Sequence, residues 1–297
     1  MGGTVLTLAA PAKLNLYLHV TGKRPDGYHL LDSLAAFVDV HDTLTIAPSH
    51  SLSFTADGPF AAGFGDEDPA TNLVVRAAKG LAEATGKPLS VSLHLTKNLP
   101  VASGIGGGSA DAAACLRGLA RLWDIDPADH VVQAVAAGLG ADIPVCVRGR
   151  AAYMGGIGTE IAPAPDLPPA GLVLVNPGIG LSTPAVYKAR TGAFSPAARF
   201  AAPPADAAAV AALLRERGND LTDAALSLVP EIATVLAAVD ENSSCLLARM
   251  SGSGASCFGI YADLAAARMA AASLSQGHPD WWVAPGRLLA DANALDG

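Results

Sequence analysis

Leu89, Val91, Leu93 and Leu95 alternate with Ser90, Ser92, His94 and Thr96, the period of a half-buried strand. Directly downstream, Ala110 to Leu122 repeats alanine and leucine at helical spacing. Nearer the start, Val5 to Ala9 reads as a short strand. Leu14, Leu16, Leu18 and Val20 then alternate with Lys13, Asn15, Tyr17 and His19 in a second, so Lys13 and Asn15 share a face. A turn at Gly22-Lys23-Arg24-Pro25-Asp26-Gly27 leads to apolar segments from Leu30 to Val40 and from Thr43 to Ala47, an antiparallel, strand-rich start. Asn72 to Ala84 has helical period and stops at Gly86. Asp126-Pro127 predicts an N-cap and a first-turn proline for a helix that ends at Gly140. Beyond it, Val145-Cys146-Val147 reads as a buried strand, and Ala151 to Met154 as another.

The proline-rich stretch Ala162 to Pro169 is the best linker candidate in the chain. It suggests two domains, residues 1–165 and 166–297. In the second, Leu172 to Val175, Leu246 to Arg249, Ser256 to Tyr261 and Trp281 to Leu289 read as strands. Thr183-Pro184 opens a helix, and Ala205 to Arg217, Pro230 to Val239 and Asp263 to Leu274 read as three more, the last capped by Asp263. The fold class is α+β.

Composition narrows the function. The 297 residues are 51% hydrophobic and only 15% charged, which describes a folded chain with a large core. A formal charge of −8 argues against broad binding to nucleic acid or an anionic membrane, since both need a clustered basic surface. Cys115, Cys146, Cys245 and Cys257 are far apart, form no C-x-x-C pair and read as reduced core thiols. Neither a signal-peptide pattern nor a long apolar run is present, so a cytoplasmic protein is expected.

The chemistry is concentrated where the alternating strand meets the helix, in Leu99-Pro100-Val101-Ala102-Ser103-Gly104-Ile105-Gly106-Gly107-Gly108-Ser109-Ala110-Asp111. Glycines let backbone N–H groups approach an anion that a Cβ would hold away, and the helix adds its positive dipole end. The loop lacks the Gly-Lys-Ser/Thr ending of a P-loop. Ser109 is either a phosphate contact or a helix cap, and Asp111 either a ligand-side carboxylate or a first-turn acid stabilised by the dipole. A second glycine loop, Ser251-Gly252-Ser253-Gly254-Ala255, lies between two strands and by itself is equally a hairpin turn.

Taken in order, Pro11-Ala12-Lys13-Leu14-Asn15-Leu16, Gly27-Tyr28-His29, the first glycine loop, Gly140-Ala141-Asp142-Ile143-Pro144-Val145 and the second glycine loop resemble the GHMP kinase superfamily over nearly the whole chain. The resemblance implies a two-domain α+β kinase with its active site in the interdomain cleft. It also implies ATP with Mg²⁺ and phosphorylation of a hydroxyl on a small molecule bearing cytidine diphosphate, in the non-mevalonate route to isoprenoids. Asp142 would be the catalytic base and Lys13 its partner; the local alternatives are a turn-capping aspartate and a solvated strand lysine. For ATP the resemblance implies Asn72, Lys97, Pro100, Gly104, Ile105, Gly106, Gly107, Gly108, Ser109 and Asp111. For the substrate it implies Asn15 at the polyol hydroxyls, Tyr28 and Tyr187 on the two faces of cytosine, His29 at the base edge, and Thr183, whose hydroxyl is alternatively a helix cap. No residues stand out as metal ligands. The expected partner is a small molecule, with the chain a monomer or weak homodimer.

Two other classes bear on the same residues. An NAD-dependent oxidoreductase would use Gly104-x-Gly106 after a strand, yet Asp124 and Asp126 fall between helices, where a dinucleotide fold needs a strand end. A catalytically silent nucleotide-binding module would have no use for both Lys13 and Asp142.

Overall fold

The computed structural model describes residues 4–64 and 68–297. Where short strands are expected near the start, it has continuous long ones. β1 (Leu6–Lys23) and β2 (His29–Pro48) pair antiparallel along their lengths. Pro11 has no N–H for the ladder, and the pairing slips there, from Pro11 opposite His41 to Ala12 opposite Val38. The bulge absorbs the proline and re-aims the chain without ending either strand.

The first half continues with β3 (Ser53–Asp57), α1 (Leu73–Thr85), β4 (Val91–Thr96), α2 (Gly107–Leu122), α3 (His130–Leu139), α4 (Ile143–Arg148), β5 (Ala152–Gly156) and β6 (Glu160–Pro163). Three expectations need correction. Asp129, not Asp126, caps α3 by accepting from Val131 N at 2.9 Å, while Asp126 and Pro127 form the preceding turn. The expected strand at Val145 to Val147 is α4, because Pro144 suits a first helical turn and Gly149 closes the helix at φ 69°. Of the expected linker, Ala162 and Pro163 complete β6, and 164–170 has no regular structure.

The second half holds β7 (Gly171–Asn176), α5 (Thr183–Ala189), α6 (Ala207–Arg215), α7 (Thr222–Leu228), α8 (Glu231–Asp240), β8 (Leu247–Met250), β9 (Cys257–Tyr261), α9 (Leu264–Gly277) and β10 (Trp282–Leu289). The short helix α7 has no counterpart in the sequence reading. Asp263 caps α9 as expected, accepting from Ala266 N at 2.9 Å. β10 joins the halves: Trp282 to Arg287 pair with β7, and Leu288 and Leu289 pair with β2.

β1 is buried on both faces from Leu8 to Val20. Leu8 and Ala10 belong to the core under α2, Leu14, Leu16 and Tyr17 to the core between the halves, and Leu18 and Val20 to the core under α8 and α9. Its alternate polar residues therefore line a seam inside the protein, and Lys13, Asn15 and His19 are all buried. Cys115, Cys146 and Cys257 are buried free thiols and Cys245 is half-buried. Among the described residues no helix is long and apolar enough to cross a membrane.

Candidate active site

A cleft of about 1100 Å³ opens between the halves, larger than the ~300–1000 Å³ of a site for one small ligand. Lys13 sits in its wall on β1, 3% exposed. A buried ammonium needs partners, and this one donates to Asp142 Oδ2 at 2.8 Å and Asn15 Oδ1 at 2.9 Å. Asn15 donates in turn to Ser33 Oγ at 2.8 Å, and Ser33 Oγ to the Tyr17 carbonyl at 2.6 Å. The chain of bonds fixes the lysine head. Asp142 occupies the N-cap position of α4, but its side chain makes no capping bond and stays 35% exposed to the cleft. Neither local alternative holds: Lys13 is not solvated and the Asp142 carboxylate does not cap.

The two glycine loops pack on each other. A Cβ on Gly104, at φ 77°, would lie 2.6 Å from the Gly254 carbonyl oxygen and 2.7 Å from that of Ser251. Ser251 Oγ donates to the Gly104 carbonyl at 3.0 Å, and Ser256 N to the Ser103 carbonyl at 3.0 Å. The second loop is thus the β8–β9 hairpin and also the support of the first. Gly106 caps α2 at φ 65°, where a Cβ would press on Lys13 Cε at 3.0 Å. Ser109 is therefore inside the helix rather than its cap. The first intrahelical bond, Ala110 N to the Gly106 carbonyl, leaves the N–H groups of Gly107, Gly108 and Ser109 without intrahelical acceptors. All three residues line the cleft. They form a ready anion site.

Pro100, Gly104 and Lys97 also line the cleft, although Lys97 is buried. Asn72, Ile105 and Asp111 do not line it. The Asn72 side chain caps α1 through Val74 N at 2.9 Å, and Ile105 is buried in the core between the halves. Asp111 is 2% exposed and donates nothing to the cleft; its Oδ2 accepts from Lys97 Nζ at 2.6 Å. Lys97 also pairs with Asp42. The sequence reading missed Asp42 and Ser33, and named Ser251 only as part of the second glycine loop; the one signal for Asp42 was the polar break at His41-Asp42 between two apolar runs.

At the other end, Tyr28 is 61% exposed on the turn between β1 and β2. His29 stacks on Tyr187 of α5, centroids 5.1 Å apart at 27°. Burial, aided by Lys23 and Arg190, lowers the His29 pKa and so favours the neutral imidazole. Burial, with Asp142 nearby, raises that of the Tyr187 hydroxyl and keeps it protonated. Thr183 is the first residue of α5 rather than its cap, and its Oγ1 lies 2.7 Å from Ser253 Oγ. Among the described residues no three histidine, cysteine or acidic side chains converge as a metal site. Asp124 turns the chain between α2 and α3 at φ 57°, away from any strand end, which removes the dinucleotide reading.

Known proteins resemble this chain in sequence and in fold. The family "GHMP kinases N terminal domain" matches residues 72–150, and "GHMP kinases C terminal" matches residues 200–280. The chain is 54% identical over 286 residues to the 4-diphosphocytidyl-2-C-methyl-D-erythritol kinase of Paramagnetospirillum magneticum, covering 96% of this chain and 99% of that one. To the enzyme of the same name from Rhodospirillum rubrum it is 50% identical over 283 residues, covering 95% and 92%. The crystal structure of a 4-(cytidine 5'-diphospho)-2C-methyl-D-erythritol kinase superposes with a TM-score of 0.77 at 35% identity, covering 95% of this chain and 98% of that one.

Proposed function

The chain belongs to the GHMP kinase family, and from that premise we propose that it transfers the γ-phosphoryl group of ATP to a hydroxyl of 4-diphosphocytidyl-2-C-methyl-D-erythritol, giving the 2-phosphate, in the non-mevalonate isoprenoid pathway. The observation that carries the reading is the Lys13–Asp142 pair, 2.8 Å apart, in a cleft shared with a free helix N-terminus.

Phosphoryl transfer to an alcohol needs a proton acceptor and positive charge at the transferring group. Asp142 is the acceptor: its carboxyl pairs with Lys13, is unused for capping and is open to the cleft. An ammonium has three N–H donors, and those of Lys13 that face Asp142 and Asn15 leave one for a phosphoryl oxygen. Asn15 therefore orients Lys13 and retains one amide N–H for a polyol hydroxyl. The N–H groups of Gly107, Gly108 and Ser109 receive the phosphates. Tyr28 and Tyr187 cover the cytosine faces, and neutral His29 meets its edge.

The donor set suits Mg²⁺ carried in with the nucleotide rather than a protein cage, with the Ser109 hydroxyl and Asp142 carboxylate as the cleft oxygens nearest in kind. Bound there, it neutralises the β- and γ-oxygens. Both walls of the cleft come from one chain, so a monomer or weak homodimer in the cytoplasm, where ATP is supplied, would carry a complete site.

The test is ADP release from ATP and Mg²⁺ with 4-diphosphocytidyl-2-C-methyl-D-erythritol, with the cytidylyl substrate omitted as blank. Substrate-dependent release is expected. A folded preparation that binds ATP without releasing ADP would remove the assignment.

A further inference from the structure

Under the first turn of α2, where Lys97 reaches the cleft wall, three charged side chains meet in the core. Lys97 directly follows β4, Asp42 lies on β2 beside the bulge, and Asp111 is in the second turn of α2. All three are buried. Lys97 Nζ bridges Asp42 Oδ2 and Asp111 Oδ2. Asp42 Oδ1 accepts the backbone N–H of Asn98 at 2.6 Å and of Leu99 at 2.8 Å, the first residues of the loop. A Cβ on Gly107 would lie 3.1 Å from Lys97 Nζ, so the ammonium sits directly under the first turn of α2. Asp42 thus holds the entrance of the loop, Asp111 holds its exit, and Lys97 ties the two together.

The arrangement is costly for a core. Burying charges is unfavourable unless they are paired, and an apolar replacement of such a cluster is often neutral or stabilising. Asp111 Oδ1 has no hydrogen-bond partner among the described residues. Packing alone does not call for these residues.

We propose that Asp42, Lys97 and Asp111 form a buried clamp that fixes the opening of the phosphate loop, and that Asp42 and Asp111, which do not line the cleft, act as positioning residues for ATP. The protonation of the cluster agrees with this role. The Asp42 carboxyl accepts from two backbone N–H groups and from Lys97. Burial alone would lower the Lys97 pKa, but Asp111 and Asp42 outweigh it and hold the ammonium charged. Burial pushes the Asp111 pKa up against the pull of Lys97.

The proposal rests on the kinase reading for the identity of its ligand, and its test separates the two. Calorimetry on the full chain would give the Kd of a non-hydrolysable ATP analogue with Mg²⁺ and, separately, of CDP. Asp111→Ala cuts the exit tie, and loss of a charge-assisted bond predicts about tenfold weaker analogue binding, with CDP affinity held to about twofold. Asp111→Asn restores an acceptor oxygen to Lys97 and should return the analogue to within about threefold of the parent. If Asp111→Ala fails to fold, Asp42→Asn, equal in volume, is expected to show the same selective loss. Parent-like analogue binding in a folded variant, equal loss of both ligands, or no rescue by asparagine would each overturn the clamp. A parent chain that binds the analogue yet phosphorylates nothing would overturn the kinase reading alone.

Discussion

The two ends of the cleft are built differently. At the phosphate end the glycine loop is braced by the second glycine loop, by Lys13 against Gly106 and by the buried Asp42, Lys97 and Asp111. At the end proposed for cytidine, Tyr28 stands exposed on a turn and His29 meets Tyr187 through ring stacking. The first end is fixed before any ligand arrives, because the transferring group must be held close to its attack geometry. The second is made of side chains that can separate around a base. In the structure His29 and Tyr187 lie against each other, so a cytosine entering next to Tyr187 must displace His29 from its face.

Four measurements sharpen or break the contrast. The largest effect belongs to the residue between the two ends. Asp142→Asn keeps the shape and removes the base, so kcat should fall about 10²- to 10⁴-fold while binding of ATP and of CDP changes little. An equal rise in both KM values with kcat preserved would make Asp142 a binding group instead. Next is Tyr187→Ala: base–aromatic stacking is worth roughly 1–3 kcal/mol, so KM for the cytidylyl substrate should rise about tenfold with KM for ATP unmoved. A parallel loss at ATP would show that the two ends are one structural unit. The third effect is smaller. Since His29 is held neutral by burial, lowering the pH below the ordinary histidine range protonates it late, and a cationic ring loses its acceptor nitrogen. KM for the cytidylyl substrate should climb a few-fold in that acidic range while ATP affinity stays flat, and His29→Gln should lose the pH dependence.

How far the sequence reveals this contrast follows from what each residue does. Lys13, Asp142 and the glycine loop are legible because their roles impose residue types at fixed spacing, and the structure brings all of them to one cleft. Asp111 is legible as a residue but not in its direction: a first-turn acid and a buried ion-pair member look alike until Lys97 and Asp42 are known to lie beneath it. Asp42 is 55 positions from Lys97 and comes to it only through the β2–β4 pairing, which no local pattern encodes. The α4 segment misleads for another reason. Ile143-Pro144-Val145-Cys146-Val147 is β-branched and apolar, as a buried strand is, and contact with α2 decides for helix. The continuity of β1 was hidden by Pro11, whose missing donor is absorbed in a bulge, and that of β2 by the polar pair His41-Asp42.

The smallest effect tests the phosphate end without any ligand. Native Asp111 holds its proton above the ordinary aspartate range, because burial outweighs the attraction of Lys97, whereas the unfolded chain has already released it. The native state therefore binds the extra proton, and stability must fall as pH rises through the interval between the two pKa values. Asp111→Asn has no proton to lose there. Its urea midpoint relative to the parent should shift upward from about pH 5 to about pH 8, with the m-value unchanged. Parallel pH profiles in the two proteins would mean that Asp111 is ionised in the native state, in which case the cluster beneath the phosphates carries net negative charge. The loop would then bind ATP against that charge rather than over a neutral brace, and the contrast between the two ends would have to rest on the glycine loops alone.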